Sequence, residues 1–330
     1  MRIGIPRALL YYYYYPVWVT MFKELGFEIV ISDDTNKKMI DEGIKVTVQE
    51  ICVPIKIFNS HVLDLIKNGV DYIFIPRMVS IKKYETFCPK FLGLPDMAKV
   101  IFKDYGDRIL SPKILNKNEN ITNFSSYKGI TSKLGIAPSK MKGALRAADR
   151  EFEKYRSLSQ KGFTLDEILN GKTSDEPFKN TSPDAVNIGV LGYVYNIYDS
   201  FISMDIISKF RSLGANIVTF DMLSEKDIYK HMEHLKKQLF WTFSNKLLGA
   251  GLYFLNEDRF DGIVHITAFG CGPDSYIGKM MELDSEKKHK PFLTIRVDEH
   301  TGDSHLVTRV EAFTDMLKRR KMPQFGRVSV

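Results

Sequence analysis

No apolar run in this sequence reaches the ~18–20 residues that a membrane-spanning helix needs, which excludes a helical membrane protein. The opening MRIGIPRALL reads straight into a strand and shows no cleavable leader, so a cytoplasmic protein with no membrane contact is expected. Cysteine is scarce: Cys52, Cys88 and Cys271 are all there is. An odd number in such a chain argues against a disulfide framework. Catalytic signatures are missing too. There is no Walker loop, no GxGxxG, no HExxH and no serine elbow, so this chain is not expected to hydrolyse ATP itself. Nor is there a recognisable RNA- or DNA-binding module, and aromatic residues do not interleave with basic ones, so no nucleic acid partner is expected.

What is present points to a soluble protein with a sizeable core: 44% of residues are hydrophobic and 26% charged. At roughly 100–200 residues per domain, 330 residues suggest two. The formal charge of +7 is scattered over Lys82-Lys83, Lys287-Lys288 and 318–321. It suits a phosphate-bearing ligand such as a nucleotide or coenzyme A, or equally a merely solvated basic surface.

Strands are expected at 1–8, 27–33, 71–78 and 109–115, and helices at 11–25, 35–43, 52–69 and from about Pro95. Pro16 is tolerable in the first of these helices only near its first turn, and Gly26 ends it. DYIFIPRM, 71–78, is continuously apolar, as in a strand covered on both faces of a parallel sheet. KGALRAADREFEKYRSL reads as an exposed, charged helix, and 171–183 as a polar linker. Then the opening recurs. RIGIPRALLYYYYYPVWVTMFKELGFEIVISD is answered from 187 by NIGVLGYVYNIYDSFISMDIISKFRSLGANIVTFD. Gly4 matches Gly189, Leu25-Gly26 matches Leu213-Gly214, and Asp33 matches Asp221. The expectation is an α/β fold of two Rossmann-like lobes, each a doubly wound parallel sheet, related as an internal repeat. They would span 1–120 and 184–330, with a helical segment and linker at 121–183 between them.

Ligands of open parallel sheets bind at the carboxyl ends of the strands. Cys271 and Cys88 each follow a strand, and Cys52 opens a helix at the same edge. If the two edges face each other, all three sulfurs converge. Each cysteine has a proline within two residues: Pro54, Pro89 and Pro273. Proline suits a helix start, and a helix N-terminus favours the thiolate that binds metal. Gly270 and Gly272 leave room for the backbone to bend beside Cys271. Thiolate ligation suits iron–sulfur or zinc. Three unconnected buried thiols are the plainer alternative.

EICVPIK with SHV at 60–62, DYIFIPR, the TFCP loop, AFGCGPDS, and DEHTG followed by TRVEAF together resemble the 2-hydroxyacyl-CoA dehydratase superfamily. The likeness is greatest to the acyl-CoA dehydratase activase-related proteins of the DUF2229 type, and it covers about 1–110 and 186–320. It implies two Rossmann-like lobes and a 4Fe–4S cluster, alone or as part of a larger one, held by Cys52, Cys88 and Cys271. It also implies a low-potential electron delivered by an ATP-dependent activase. An acyl-CoA or other small substrate and a homo- or hetero-oligomeric assembly go with it. Ser60 replaces the usual glycine before the His-Val pair. The readings carried forward are an iron–sulfur component of dehydratase type, a non-catalytic activase-related interaction or regulatory protein, and a cysteine-ligated zinc protein.

Other residues invite a role. Glu299 and His300, in VDEHTG, follow a strand at the functional edge and are candidates for moving protons; with Asp298 they equally suit a capped turn. His61 could face the cluster or be a satisfied histidine within a helix. Asp274 and Ser275 read as caps of a helix beginning near Tyr276. Glu50 could support Cys52. The tyrosine run 11–15 reads as packing between lobes rather than as a substrate platform.

Overall fold

The structure, a computed structural model, describes residues 1–235, 237–298 and 303–322. The first lobe runs β1 (Arg2–Ile5), α1 (Tyr11–Glu24), β2 (Glu28–Ile31), α2 (Lys37–Lys45), α3 (Val53–Lys67), β3 (Tyr72–Phe74), β4 (Arg77–Ser80), α4 (Pro89–Ile101), β5 (Ile109–Leu110) and β6 (Lys113–Leu115). Three helices follow: α5 (Phe124–Lys133), α6 (Pro138–Gln160) and α7 (Leu165–Leu169). The second lobe begins β7 (Asn187–Leu191), α8 (Val194–Tyr198), α9 (Ser200–Ser203), α10 (Ile206–Ser212), β8 (Asn216–Thr219), α11 (Glu225–Lys230) and α12 (Thr242–Asn256). It ends β9 (Gly262–Ala268), α13 (Gly272–Lys287), β10 (Phe292–Val297) and α14 (Asp303–Lys321).

The fold is α/β and every strand pair in its three sheets is parallel. The internal repeat is visible as topology. The first sheet has the order β2-β1-β3-β5 and the second, read in the same sense, β8-β7-β9-β10. Gly4 pairs with Val30 and Gly189 with Val218. A Cβ on Gly4 would stand 3.1 Å from Leu65 and Val70, and one on Gly189 2.4 Å from the Phe254 ring, so each lobe packs a side chain onto the same point of its first strand. Gly26 and Gly214 leave the first crossover helix of each lobe at φ +86° and +82°, a conformation that favours glycine. Asp33 and Asp221 break the likeness: Asp33 is exposed, whereas Asp221 is buried and accepts from Tyr198 and Ser159.

Prolines account for the largest departures from expectation. The strands expected at 71–78 and 109–115 each split, into β3 and β4 and into β5 and β6, because Pro76 and Pro112 bring no N–H to the ladder. The split pieces β4 and β6 pair as a small sheet of their own. The helix expected from Pro95 starts at Pro89, with Pro95 inside it. Pro16 lies in the interior of α1, not in its first turn. The missing N–H would have bonded the Tyr12 carbonyl; the Tyr155 hydroxyl of α6 donates to that carbonyl instead, at 2.6 Å. Accordingly α6 is not the wholly exposed helix its charges suggest. It buries Met141, Ala144, Leu145, Ala148 and Tyr155.

The tyrosine run is packing. Tyr11, Tyr12, Tyr13 and Tyr14 are all buried, and Tyr13 meets Phe243 of the second lobe edge-on at 5.3 Å. Burial pushes the hydroxyls of Tyr11, Tyr12 and Tyr14 well above the ordinary phenol range, so they stay neutral.

Candidate functional site

Each cysteine occupies the same local position. Cys52 is the N-cap of α3, Cys88 of α4 and Cys271 of α13, and each helix carries proline at its first or second position. Proline fits there because the first-turn N–H has no intrahelical acceptor to lose. The cysteines therefore stand where the peptide dipoles present their positive end. All three are partly buried free thiols. None caps its helix by a side-chain hydrogen bond.

The loops that carry these residues are joined across the lobes by backbone. The Cys88 loop is tied to the segment before α12: the Thr86 N–H donates to the Phe240 carbonyl at 2.7 Å and the Thr242 N–H to the Thr86 carbonyl at 3.0 Å. The Cys52 and Cys271 loops lie against each other. The Val53 N–H faces the Phe269 carbonyl at 3.5 Å, and a Cβ on Gly270 would stand 3.2 Å from the Cys52 Cα. Gly270 also has φ +80°, so steric room and backbone conformation both call for glycine. The room it leaves is thus beside Cys52, not beside Cys271 as the sequence suggests. Gly272 has nothing within 4 Å of where a Cβ would sit.

Burial pushes the pKa of all three thiols up, against ionisation. The N–H of Ile55, those of Lys90 and Phe91, and that of Asp274 work in the opposite direction at Cys52, Cys88 and Cys271 respectively. The thiols also feel one another: Cys88 pushes Cys52 up, and Asp274, Cys52 and Cys88 push Cys271 up. As they stand, no three Cys, His, Asp or Glu side chains among the described residues come together closely enough to hold a single metal ion. The cysteines share a neighbourhood in which a thiolate is unfavourable without a cation.

Several polar groups around this edge are buried without partners. His265, in the middle of β9, and Asp274, in the first turn of α13, are buried and joined Nε2 to Oδ1 at 2.9 Å. Among the described residues, His265 Nδ1, Asp274 Oδ2, Thr267 Oγ1 and both polar atoms of the fully buried Asn196 have no hydrogen-bond partner. Tyr193 and Tyr195 stack at 5.3 Å with 8° between their planes. After burial, Cys271 is the largest influence pushing the pKa of each hydroxyl up, which puts the stacked pair beside the cysteines. The sequence carried one usable sign of this cluster: a histidine interrupting the apolar run GIVHITA, where a buried strand gives it no solvent.

The remaining candidates separate. His61 is the satisfied helical histidine. Its Nδ1 meets Ser32 Oγ and its Nε2 meets Thr35 Oγ1, both at 2.9 Å, and Thr35 Oγ1 donates to Asp199 Oδ2 at 2.5 Å. Asp199, of the second lobe, also accepts from the N–H groups of Phe201 and Ile202 at 3.1 Å. Asp274 and Ser275 do not cap α13, which begins earlier, at Gly272. Glu50 is exposed. Asp298 is exposed and lines a cavity between the lobes. Glu299 and His300 lie outside the described residues. Among the described residues, no helix is long and apolar enough to cross a membrane.

No curated protein matches the chain. A family does, over residues 2–223, a span that includes Cys52 and Cys88 and stops before Cys271. The chain belongs to the family described as the CoA enzyme activase uncharacterised domain (DUF2229).

Proposed function

We propose that Cys52, Cys88 and Cys271 hold one 4Fe–4S cluster between the lobes, and that the protein receives a low-potential electron from an ATP-dependent activase. The observation that carries this reading is the threefold recurrence of one arrangement. Cysteine caps three helices drawn from both lobes, and the thiols are near enough for Cys88 to push the Cys52 pKa up and for Cys52 and Cys88 to push that of Cys271 up. The donor set fits the group: three soft thiols, no disulfide, and orphaned polar atoms on Asn196, Thr267, His265 and Asp274 at the same sheet edge. A zinc ion fits less well. It needs every ligand within about 2.3 Å of one atom, whereas a cubane takes its thiolates at separate irons.

Such a cluster supplies one-electron transfer and, with three cysteines, an iron open to a further ligand. The protein's own part is to orient the ligands through three rigid helix starts and to direct peptide N–H groups at the sulfurs. Tyr193 and Tyr195 shield the edge from water. Bound cations invert the local pKa logic, so the burial that disfavours free thiolates would keep the bound ones dry. An acyl-CoA or other small molecule is the substrate class that goes with this reading.

A second reading is a non-catalytic partner of the activase that retains the two-lobed fold. One observation favours it: the span that the family model matches, residues 2–223, holds Cys52 and Cys88 and not Cys271. Anaerobic purification separates the two. The first predicts brown protein absorbing near 400 nm with about four irons and matching sulfide per chain. Colourless protein after anaerobic reconstitution would overturn it. Zinc without iron would establish the zinc protein. Retention of the activase in pull-down, with metal-free chain, would support the second.

A further inference from the structure

A groove of about 600 Å³ runs between α5 and the segment 109–115 that carries β5 and β6, and no cysteine lines it. That size is in the range of small-molecule sites. One wall is a single face of α5, where Ser125, Ser126, Gly129, Ile130 and Lys133 recur at helical spacing. The other wall passes the carboxyl end of β5 at Ser111 and Pro112, and the carboxyl ends of parallel strands are where such sheets take their ligands. Lys113 and, from α4, Lys99 complete the polar lining.

The charge of this groove has one sign: three lysines line it and no carboxylate does. Their ammonium groups are not neutralised. That of Lys133 donates to the Asp107 main-chain carbonyl and lies 5.5 Å from the centre of the Tyr72 ring, contacts that place it and leave its charge. The Asp96 carboxyl is held below its ordinary range chiefly by Arg77, through two bonds at 2.6 and 2.7 Å, with Lys99 the smallest contributor. Among the described residues, Lys99 and Lys113 make no ion pair, and the Ser111 and Ser126 hydroxyls bond no protein group. Gly129 sits inside α5 although glycine weakens a helix interior. A Cβ there would meet nothing within 4 Å, so the missing side chain leaves width in the groove rather than room for packing.

We infer that this groove binds a diphosphate, free or as the ester of a small molecule. The phosphates bring several negative charges to three ammonium groups, and the hydroxyls of Ser111 and Ser126 donate to their oxygens. Lysine meets phosphate as a point charge, and the lining has no arginine fork to grip a planar carboxylate. The first turn of α5, at Ser125 and Ser126, adds the positive end of its dipole. The site is separate from the cysteine edge, and its assignment goes beyond the cluster reading without resting on it.

Titration calorimetry of the intact chain with pyrophosphate, ADP, adenosine and citrate tests it. Saturable 1:1 binding of pyrophosphate and of ADP is expected, with adenosine at least about tenfold weaker than ADP because it brings no phosphate. Citrate should bind less tightly than pyrophosphate, since its charges sit on planar carboxylates. Lys113→Glu and Gly129→Glu should each weaken both diphosphates at least about tenfold, by setting a carboxylate in the groove. Both positions are exposed, and Gly129→Glu also supplies a better helix former. Lys226→Glu, an equal change of charge at an exposed position in the first turn of α11, should leave the affinity within about twofold. Absence of saturable diphosphate binding, adenosine binding as tightly as ADP, tighter binding of citrate, or affinity unchanged in both Lys113→Glu and Gly129→Glu would each overturn the assignment. Equal weakening by Lys226→Glu would overturn it as well, by reducing the binding to attraction by the net charge of the chain.

Discussion

Two buried polar clusters, one joining the lobes and one within the second lobe, are built on opposite terms. In one, each link from the Arg7 backbone to Asp199 has a donor and an acceptor. The Arg7 N–H donates to Ser32, Ser32 to His61 Nδ1, His61 Nε2 to Thr35, and Thr35 to Asp199. That order follows from its end, because an ionised carboxylate only accepts, and it fixes the neutral His61 as the Nε2–H tautomer. In the other, His265 and Asp274 share one bond and leave one ring nitrogen and one oxygen without partners. A fully matched chain is a fastening between lobes. A half-matched cluster beside three thiols is the mark of a site made for something else.

The sharpest way to test that contrast is at Cys271. Cys271→Ala should lose most of the iron from anaerobically prepared protein; iron content equal to the parent's would remove Cys271 from the ligand set and leave the half-matched cluster without a purpose. On the matched side, Asp199→Ala strips three donors of their acceptor at once. A loss of roughly 3–4 kcal/mol in urea unfolding is expected, and a loss under about 1 kcal/mol would show that the chain fastens little.

The pH dependence offers a finer test. Burial lifts the Asp199 carboxyl from 3.8 to about 6, so this group favours the folded state most below pH 3.8 and loses that contribution as pH rises to 6. Burial, aided by Arg7, lowers His61 from 6.5 to about 3, so its contribution is full above pH 6.5 and is lost as pH falls toward 3. Between about pH 4 and 6 the two slopes oppose and cancel. Asp199→Asn removes one of them. Its stability should fall by about 1.4 kcal/mol per pH unit on acidification through that window, while the parent stays flat. Parallel curves for the two proteins would contradict the Asp199 assignment, and a variant curve that is flat would contradict that of His61.

Smaller effects complete the series. Gly270→Ala should cost about 2 kcal/mol, from the left-handed backbone and the crowding of Cys52, read as a lowered denaturant midpoint with reduced iron loading. Replacing both members of the half-matched pair, His265→Phe with Asp274→Leu, should cost less than either single change and under about 1 kcal/mol in metal-free protein. A larger cost for the double variant would mean that the pair is as well satisfied as the Asp199 chain.

Much of this was readable in advance, for reasons that differ by residue. The repeat showed because glycine is demanded at the same places in both lobes, by close packing at Gly4 and Gly189 and by backbone conformation at Gly26 and Gly214. The cysteines stood out because proline at a helix start is a local signal. Pro76 and Pro112 are equally visible, and the missing N–H of each outweighs the apolar run around it. The interior position of Pro16 could not be anticipated, because Tyr155, 143 residues from Tyr12, supplies the replacement donor. The same holds for Thr35 and Asp199, 164 residues apart. Hydrogen bonds that join distant segments leave no periodicity behind.

The sheet order has a consequence for how this protein can be divided. The span matched by the family closes at residue 223, past β8, whereas β7 takes its other neighbour from β9, at 262–268. A fragment ended at that boundary would expose one whole flank of β7, a row of unpaired peptide groups on a strand whose Ile188, Gly189, Val190 and Leu191 are all buried in the intact fold. Dissection experiments are therefore best planned around the complete sheet rather than around the matched span.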